Sequence, residues 1–223
     1  MSFAGFSREA VQFLAELAAN NERAWFQPRK AEYERLLKRP LEELCVALGE
    51  RFEARGIPLV ADPARSPFRI HRDTCFSKDK SPYKTSVAAR FPWVGGGPGG
   101  YFSLGPGEIH LGGGMWHPEP SLLAAWRAAV VEQPAVVHAA LDDPDFVRTF
   151  GLVGGERLKR VPVGFRADHP DADLLKLKDV TFWRLLSDEA ALSADLPDEL
   201  ADSFAAALPV LRLLAGLTGP ANS

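Results

Sequence analysis

The hydrophobic period of this chain changes at Pro67, and that change constrains the fold more than any single residue does. Upstream, Leu41, Leu44, Cys45, Leu48 and Phe52 recur at intervals of three and four, the spacing that lines one face of an α-helix. An earlier helix is expected to begin at Ser7, whose hydroxyl suits an N-cap. Val11, Leu14, Leu17 and Ala18 mark its apolar face, and Asn20-Asn21 closes it. Pro40 suits the first turn of the next helix. Downstream of Pro67, Phe68-Arg-Ile-His-Arg72 alternates apolar with polar, and Val87, Ala89 and Phe91 do the same, which is the period of a half-buried strand. Tyr101-Phe-Ser-Leu104 and Glu108-Ile-His-Leu111 follow as further strands, separated by the turn dipeptide Pro106-Gly107.

Consecutive strands joined by turns imply an antiparallel sheet. Helical spacing returns after Pro120 with Leu122, Leu123, Trp126, Ala129 and Val130, and shorter helices are expected over 134–141 and 143–150. An edge strand is expected at Leu177-Lys-Asp-Val-Thr-Phe182. A last helix carries Leu200, Phe204, Leu208, Leu211 and Leu214, kinked at Pro209. The expected class is therefore α+β, an antiparallel β-sheet flanked by N-terminal and C-terminal helices. A single domain is expected over 1–223, helical over 7–55, mainly β over 66–115 and mainly helical over 119–217.

One segment stands apart in charge. Between Arg69 and Thr85 lie Arg69, Arg72, Lys78, Lys80 and Lys84, against the acids Asp73 and Asp79, in a chain whose formal net charge is −3. This cationic density is local, and the expected site is the loop joining the strands near 68–72 and 85–91. Arg69, Arg72, Lys78, Lys80 and Lys84 supply charge there, Tyr83 a directional hydroxyl and Asp73 an orienting carboxylate. Charge-assisted hydrogen bonds from such groups hold phosphate or carboxylate. Arg69 and Arg72 fall on opposite faces of a regular strand, so their convergence requires a bulge or a strand end. Arg157, Lys159, Arg160 and Arg166 make a second, weaker basic group.

Four blocks of the chain carry a family resemblance. They are Asn20-Asn-Glu-Arg-Ala-Trp-Phe26, the whole basic segment 69–85, Gly112-Gly-Gly-Met-Trp-His-Pro118, and Leu158-Lys-Arg-Val-Pro-Val-Gly-Phe165 with Asp168-His-Pro170. In this order they resemble the domain of unknown function 2461 family of bacterial and fungal proteins. His71 and Cys75 depart from the aromatic and the arginine expected at those places. The resemblance implies membership and no particular activity.

Other motifs point to no reaction. The run Gly95 to Gly100 lacks the strand and helix context of a phosphate-binding loop. Gly112-Gly-Gly is read as ending a strand, where absent side chains permit close backbone approach. The five histidines show no metal-ligand spacing, no serine sits in a nucleophile elbow, and no cofactor motif is present. Cys45 and Cys75 form no ligand pair, which fits a reducing cytoplasm. No secretory signal and no membrane span are read from the chain.

Three functional readings follow. The first is a site for a phosphorylated or carboxylated small molecule, which expects a concave pocket with the cations directed inward. The second is a structural or protein-interaction module, with the cations consumed by internal pairs. The acids Asp188, Glu189, Asp195, Asp198, Glu199 and Asp202 are available for those pairs. The third is nucleic-acid binding, which expects an exposed basic stripe beside stackable rings and ranks below the first because the net charge is acidic. None of the three fixes an oligomeric state.

Overall fold

The computed structural model describes residues 3–73 and 79–217. Its sheet has four antiparallel strands in the order β1-β2-β3-β4: β1 Val87–Pro92, β2 Gly99–Gly105, β3 Glu108–Met115 and β4 Val180–Leu186. Helices lie toward both ends of the chain, so the class is α+β. The chain falls into two compact units. The first takes Met1–Phe91, Tyr101–Leu111 and Leu185–Asp202; the second takes Pro92–Gly100, Gly112–Arg184 and Ser203–Ser223.

In the first unit, helix Arg8–Ala19 is capped as its sequence requires, Ser7 Oγ accepting from the Ala10 N–H at 3.2 Å. Its buried face is Ala10, Phe13, Leu14 and Leu17. The expected face included Val11 and Ala18; the large Phe13 ring rotates the helix so that it takes their place. Asn20 ends the helix at φ −133°, outside the left-handed region, with its side-chain amide donating to the Glu16 carbonyl. Helix Arg39–Ala54 follows a π turn at Glu34–Lys38 and buries Leu41, Leu44, Cys45, Leu48 and Phe52, the stripe read from the sequence. Burial pushes the Cys45 thiol up to about 12, so it is a packing residue.

These helices cover one face of the sheet. Phe52 meets Phe91 of β1 at 5.9 Å between ring centroids, and Phe6 stacks on Phe102 of β2 at 6.1 Å. Both strand residues are fully buried. Complete burial of such side chains contributes about 1.5–3 kcal/mol each. In the same unit, Arg51 and Arg55 both pair with Asp198, and Arg55 also pairs with Asp202.

In the second unit, Phe146 and Phe150 pack edge-on against Phe182 of β4 at 5.3 and 4.7 Å. The indole of Trp126 donates to the Leu174 carbonyl, and helix Leu208–Gly216 packs on Pro134–Leu141. The single C-terminal helix expected from the sequence is two, Leu196–Ala206 and Leu208–Gly216. Pro209 has no N–H to continue the first, so it starts a second one. The edge strand expected at 177–182 runs instead over Val180–Leu186.

The glycine run Gly112-Gly-Gly114 does not end a strand; it lies inside β3. The backbone of β4 presses against it. A Cβ on Gly112 would sit 2.2 Å from the Phe182 carbonyl oxygen, and one on Gly114 would sit 2.1 Å from that of Val180. Gly114 also holds φ +113°, which favours glycine. Gly114→Ala is expected to cost about 2–3 kcal/mol or more in urea unfolding. Gly154→Ala, which meets nothing within 4 Å, is expected to leave the midpoint nearly unchanged.

Candidate functional site

The basic segment forms an arm of the first unit. Residues 66–72 run antiparallel to 82–90 as a broken ladder, not as the regular strand expected over 68–72. The Phe68 N–H donates to the Ala88 carbonyl at 2.8 Å and the Arg90 N–H to that of Ser66 at 3.0 Å. Farther out, the Lys84 N–H donates to Ile70 at 2.8 Å and the Arg72 N–H to Pro82 at 2.9 Å. Going outward, the first side advances two residues, from 68 to 70, while its partner advances four, from 88 to 84. The extra residues around Thr85 and Ser86 are a bulge on the 82–90 side, whereas the expectation for Arg69 and Arg72 concerned their own side of the ladder, which advances regularly from 68 to 70.

Asn21 anchors the arm. Its side-chain amide donates to the Tyr83 carbonyl at 2.9 Å and its side-chain oxygen accepts the Tyr83 N–H at 3.1 Å. The Tyr83 ring stacks on Phe26 at 4.1 Å and approaches the His71 ring at 5.3 Å. Tyr83 is only 1% exposed. The hydroxyl expected to face a ligand therefore belongs to a core side chain, because aromatic area is buried before a single O–H is solvated.

The cations are distributed unequally. Arg72 is exposed and its guanidinium donates to Asp79, whose carboxylate also accepts the Ser81 N–H at 2.9 Å. Hydrogen bonds from Ser81 first, and then Arg72, hold the Asp79 carboxyl below its usual range. Asp79 is thus an orienting acid and a poor base. Arg69, Asp73 and Lys80 are exposed, and Lys84 is half-buried. Lys78 and Cys75 lie outside the described residues. Lys84 extends its ammonium over the Phe68 ring, 5.0 Å from the centroid. Burial lowers its pKa below the ordinary lysine value, and the nearby Arg69 charge lowers it further.

Two acids of the tract 188–202 are paired elsewhere. Asp198 and Asp202 are taken by Arg51 and Arg55. A cavity of about 80 Å³ in the same unit is lined by Phe3, Val46, Glu50, Arg51 and Pro197 among others, and includes none of the arm's cations. Arg166, of the second basic group, pairs with Asp168. Among the described residues no cluster of His, Cys, Asp or Glu is arranged to hold a metal ion, and no helix is long and apolar enough to cross a membrane.

One arrangement had no signal in the sequence. His117 sits at φ +48°, uncommon for a side-chain-bearing residue, and its N–H donates to the buried Asp179 carboxylate at 2.6 Å. Its ring Nδ1 lies 3.6 Å from the same oxygen, too far for a hydrogen bond. Asp179 thus fixes a strained backbone turn after β3. The histidines 71, 110 and 117 have separate surroundings: His71 beside Tyr83, His110 near Glu108, and His117 on Asp179.

A family model described as "Conserved hypothetical protein (DUF2461)" matches residues 9–212. The chain belongs to that family. The match spans all four blocks named above, including the arm and its Asn21 anchor. No curated protein and no solved structure matches the chain. For this DUF2461 protein, the reading of function therefore stands on the arm's own chemistry.

Replacing Asn21 by Ala leaves the Tyr83 N–H and carbonyl unpaired in a partly buried place. We expect a loss of about 1–3 kcal/mol in urea unfolding, and faster amide exchange at Tyr83, Lys84 and Arg72 than at Phe91. Equal acceleration at all four amides would show that Asn21 does not anchor the arm in particular.

Proposed function

We propose that the arm over 66–72 and 79–90 binds an anion bearing phosphate or carboxylate groups, with Arg69 and Lys84 as its principal contacts. Arg72, oriented by Asp79, and Lys80 lie at its margin, and Asp73 sets the local charge. The observation that carries this reading is Lys84, half-buried with its ammonium 5.0 Å over the Phe68 ring. Among the described residues neither Lys84 nor Arg69 has a carboxylate within ion-pair distance. Burial lowers the Lys84 pKa, and the Arg69 charge lowers it further. A partly desolvated cation with a like charge in its surroundings is destabilising until an anion meets it. A carboxylate or phosphate there would accept hydrogen bonds from both and reverse the shift.

The rival in which internal pairs consume the cations is favoured at Arg72, which has Asp79. It gives no reason for the placement of Arg69 and Lys84.

The test is thermal unfolding with inorganic phosphate, pyrophosphate and citrate. A ligand at a hundred times its Kd stabilises the native state by about 2.7 kcal/mol. We expect stabilisation by at least one of these anions. It should be lost in Arg69→Ala and in Lys84→Met, which keeps most of the apolar stem, and retained in Arg148→Ala on the surface of the second unit. Absence of any shift, with both arm variants less stable than the parent, would make the arm structural.

The Lys84 shift also fixes a sign with pH. The ammonium, partly buried and near the Arg69 charge, deprotonates at a lower pH than an ordinary lysine. Anion binding favours the charged form, so affinity should fall as pH rises through this lowered value. In Lys84→Arg, which keeps its charge, the decline should move to higher pH. An identical decline in the parent and Lys84→Arg would remove Lys84 from the site.

A further inference from the structure

We infer that the outward face of this arm and of the adjoining β1 and β2 binds single-stranded nucleic acid. Bases stack on Phe68 and Tyr101, and phosphates are drawn to Lys84, Arg69 and Arg90. The inference rests on the anion-binding reading and names its ligand.

The rings come first. Phe68 is 41% and Tyr101 38% exposed, and their centroids lie 6.3 Å apart at 52°. Their neighbours Phe91 and Phe102, on the inward side of the same sheet, are completely buried. The outward placement follows from the strand period: Phe102 points in, so Tyr101 points out. Phe68 and Tyr101 flank β1, and between them stands Ala88, which lies opposite Phe68 and is only 7% exposed. A larger residue at 88 would part the two rings; alanine lets them meet as one aromatic surface. Every base has a π-face, so such a surface is tolerant of sequence.

The charges frame these rings. The Lys84 ammonium lies 5.0 Å over the Phe68 ring; burial lowers its pKa, and the Arg69 charge lowers it further. Arg90 is exposed on β1, two residues from Ala88 and therefore on the same face. Across β1, β2 and residues 108–111 of β3 the acid is Glu108, which lies 3.9 Å from His110. Three cations beside two exposed rings are complementary to a polyanion that carries planar bases. Two adjoining exposed rings offer stacking faces for more than one base, which suits a chain of nucleotides better than one nucleotide. The acidic net charge, which had ranked nucleic acid below a small anion, opposes bulk attraction and leaves this local complement in place.

The experiment is fluorescence anisotropy of labelled oligo(dT) and oligo(U) of about 12 nucleotides, within the range one single-strand-binding surface covers. The full chain is titrated, with pyrophosphate as a parallel ligand that has charge and no ring. We expect both oligonucleotides to bind. Phe68→Leu and Tyr101→Leu, which keep apolar bulk, should weaken that binding about fivefold or more. Tyr101→Leu should leave pyrophosphate binding as it was, whereas Lys84→Met should weaken both ligands. The slope of log K against log salt should be about −2 for three phosphate contacts, and flatter by about 0.7 in Arg90→Ala. Pyrophosphate binding without oligonucleotide binding overturns this inference and leaves the anion reading standing; binding of neither overturns both. Oligonucleotide affinity unchanged in both leucine variants, or a duplex of equal length bound as tightly, also overturns it. Circular dichroism of each variant separates these losses from failure to fold.

Discussion

The two hydrogen bonds between the Asn21 side chain and the Tyr83 backbone are the constraint on which the arm's geometry depends. A side-chain amide carries one donor face and one acceptor face, as a peptide group does, so Asn21 completes pairing that no strand supplies at this point. Tyr83 is then held from both sides, by Asn21 through its backbone and by Phe26 through its ring. With Tyr83 fixed, the ladder from Ile70 to Pro82 has a defined start, and the mismatch with the Phe68–Ala88 register is absorbed at Thr85 and Ser86. The bulge is thus a consequence of anchoring the arm at two places with unequal lengths of chain between them. Aspartate could accept from the Tyr83 N–H but not donate to its carbonyl, and would add a further negative charge near a cationic segment.

Helix-forming spacing and strand alternation were legible wherever one face of an element is buried. The stripe of helix Arg39–Ala54 and the alternation of β1 are read correctly because burial alone decides them. What failed was decided by partners distant in sequence. Gly112 to Gly114 looked like a strand end because a run of glycines is locally weak in a sheet. Its cause is the β4 backbone nearly seventy residues on, which no local pattern announces. Tyr83 was counted among ligand groups because its neighbours are Lys and Ser; the ring that buries it, Phe26, comes from the first helical region. The arm's location and its exposed Arg69, Arg72 and Lys80 were legible from charge density alone. Phe68 and Tyr101 were missed as a pair because they lie on opposite sides of a strand, and only the sheet order brings them together.

Charge in this chain is sorted by what each cation finds nearby. Arg51 and Arg55 project from helix Arg39–Ala54 toward Asp198 and Asp202, and the bonds from Arg51 first hold Asp198 below its usual range. Such half-exposed pairs contribute about 1 kcal/mol or less each, so their effect is to direct charge more than to stabilise the fold. Arg72 is treated in the same way by Asp79.

Arg69 and Lys84 are the exception, and the energetics of that exception favour a partner from solution. Turning either side chain outward would separate the charges at little cost if water were their only destination. Lys84 instead remains half-buried over an aromatic ring, where desolvation opposes its charge and the ring face partly offsets it. A cation held in a place that raises its energy gains more from an incoming anion than a fully hydrated one does, because part of its desolvation has already occurred. Preorganisation of this kind costs native stability and returns it on binding. The Phe68 ring therefore meets two groups in one position, the Lys84 ammonium over its face and the Tyr101 ring beside it, so the proposed anion and its planar group would be received side by side.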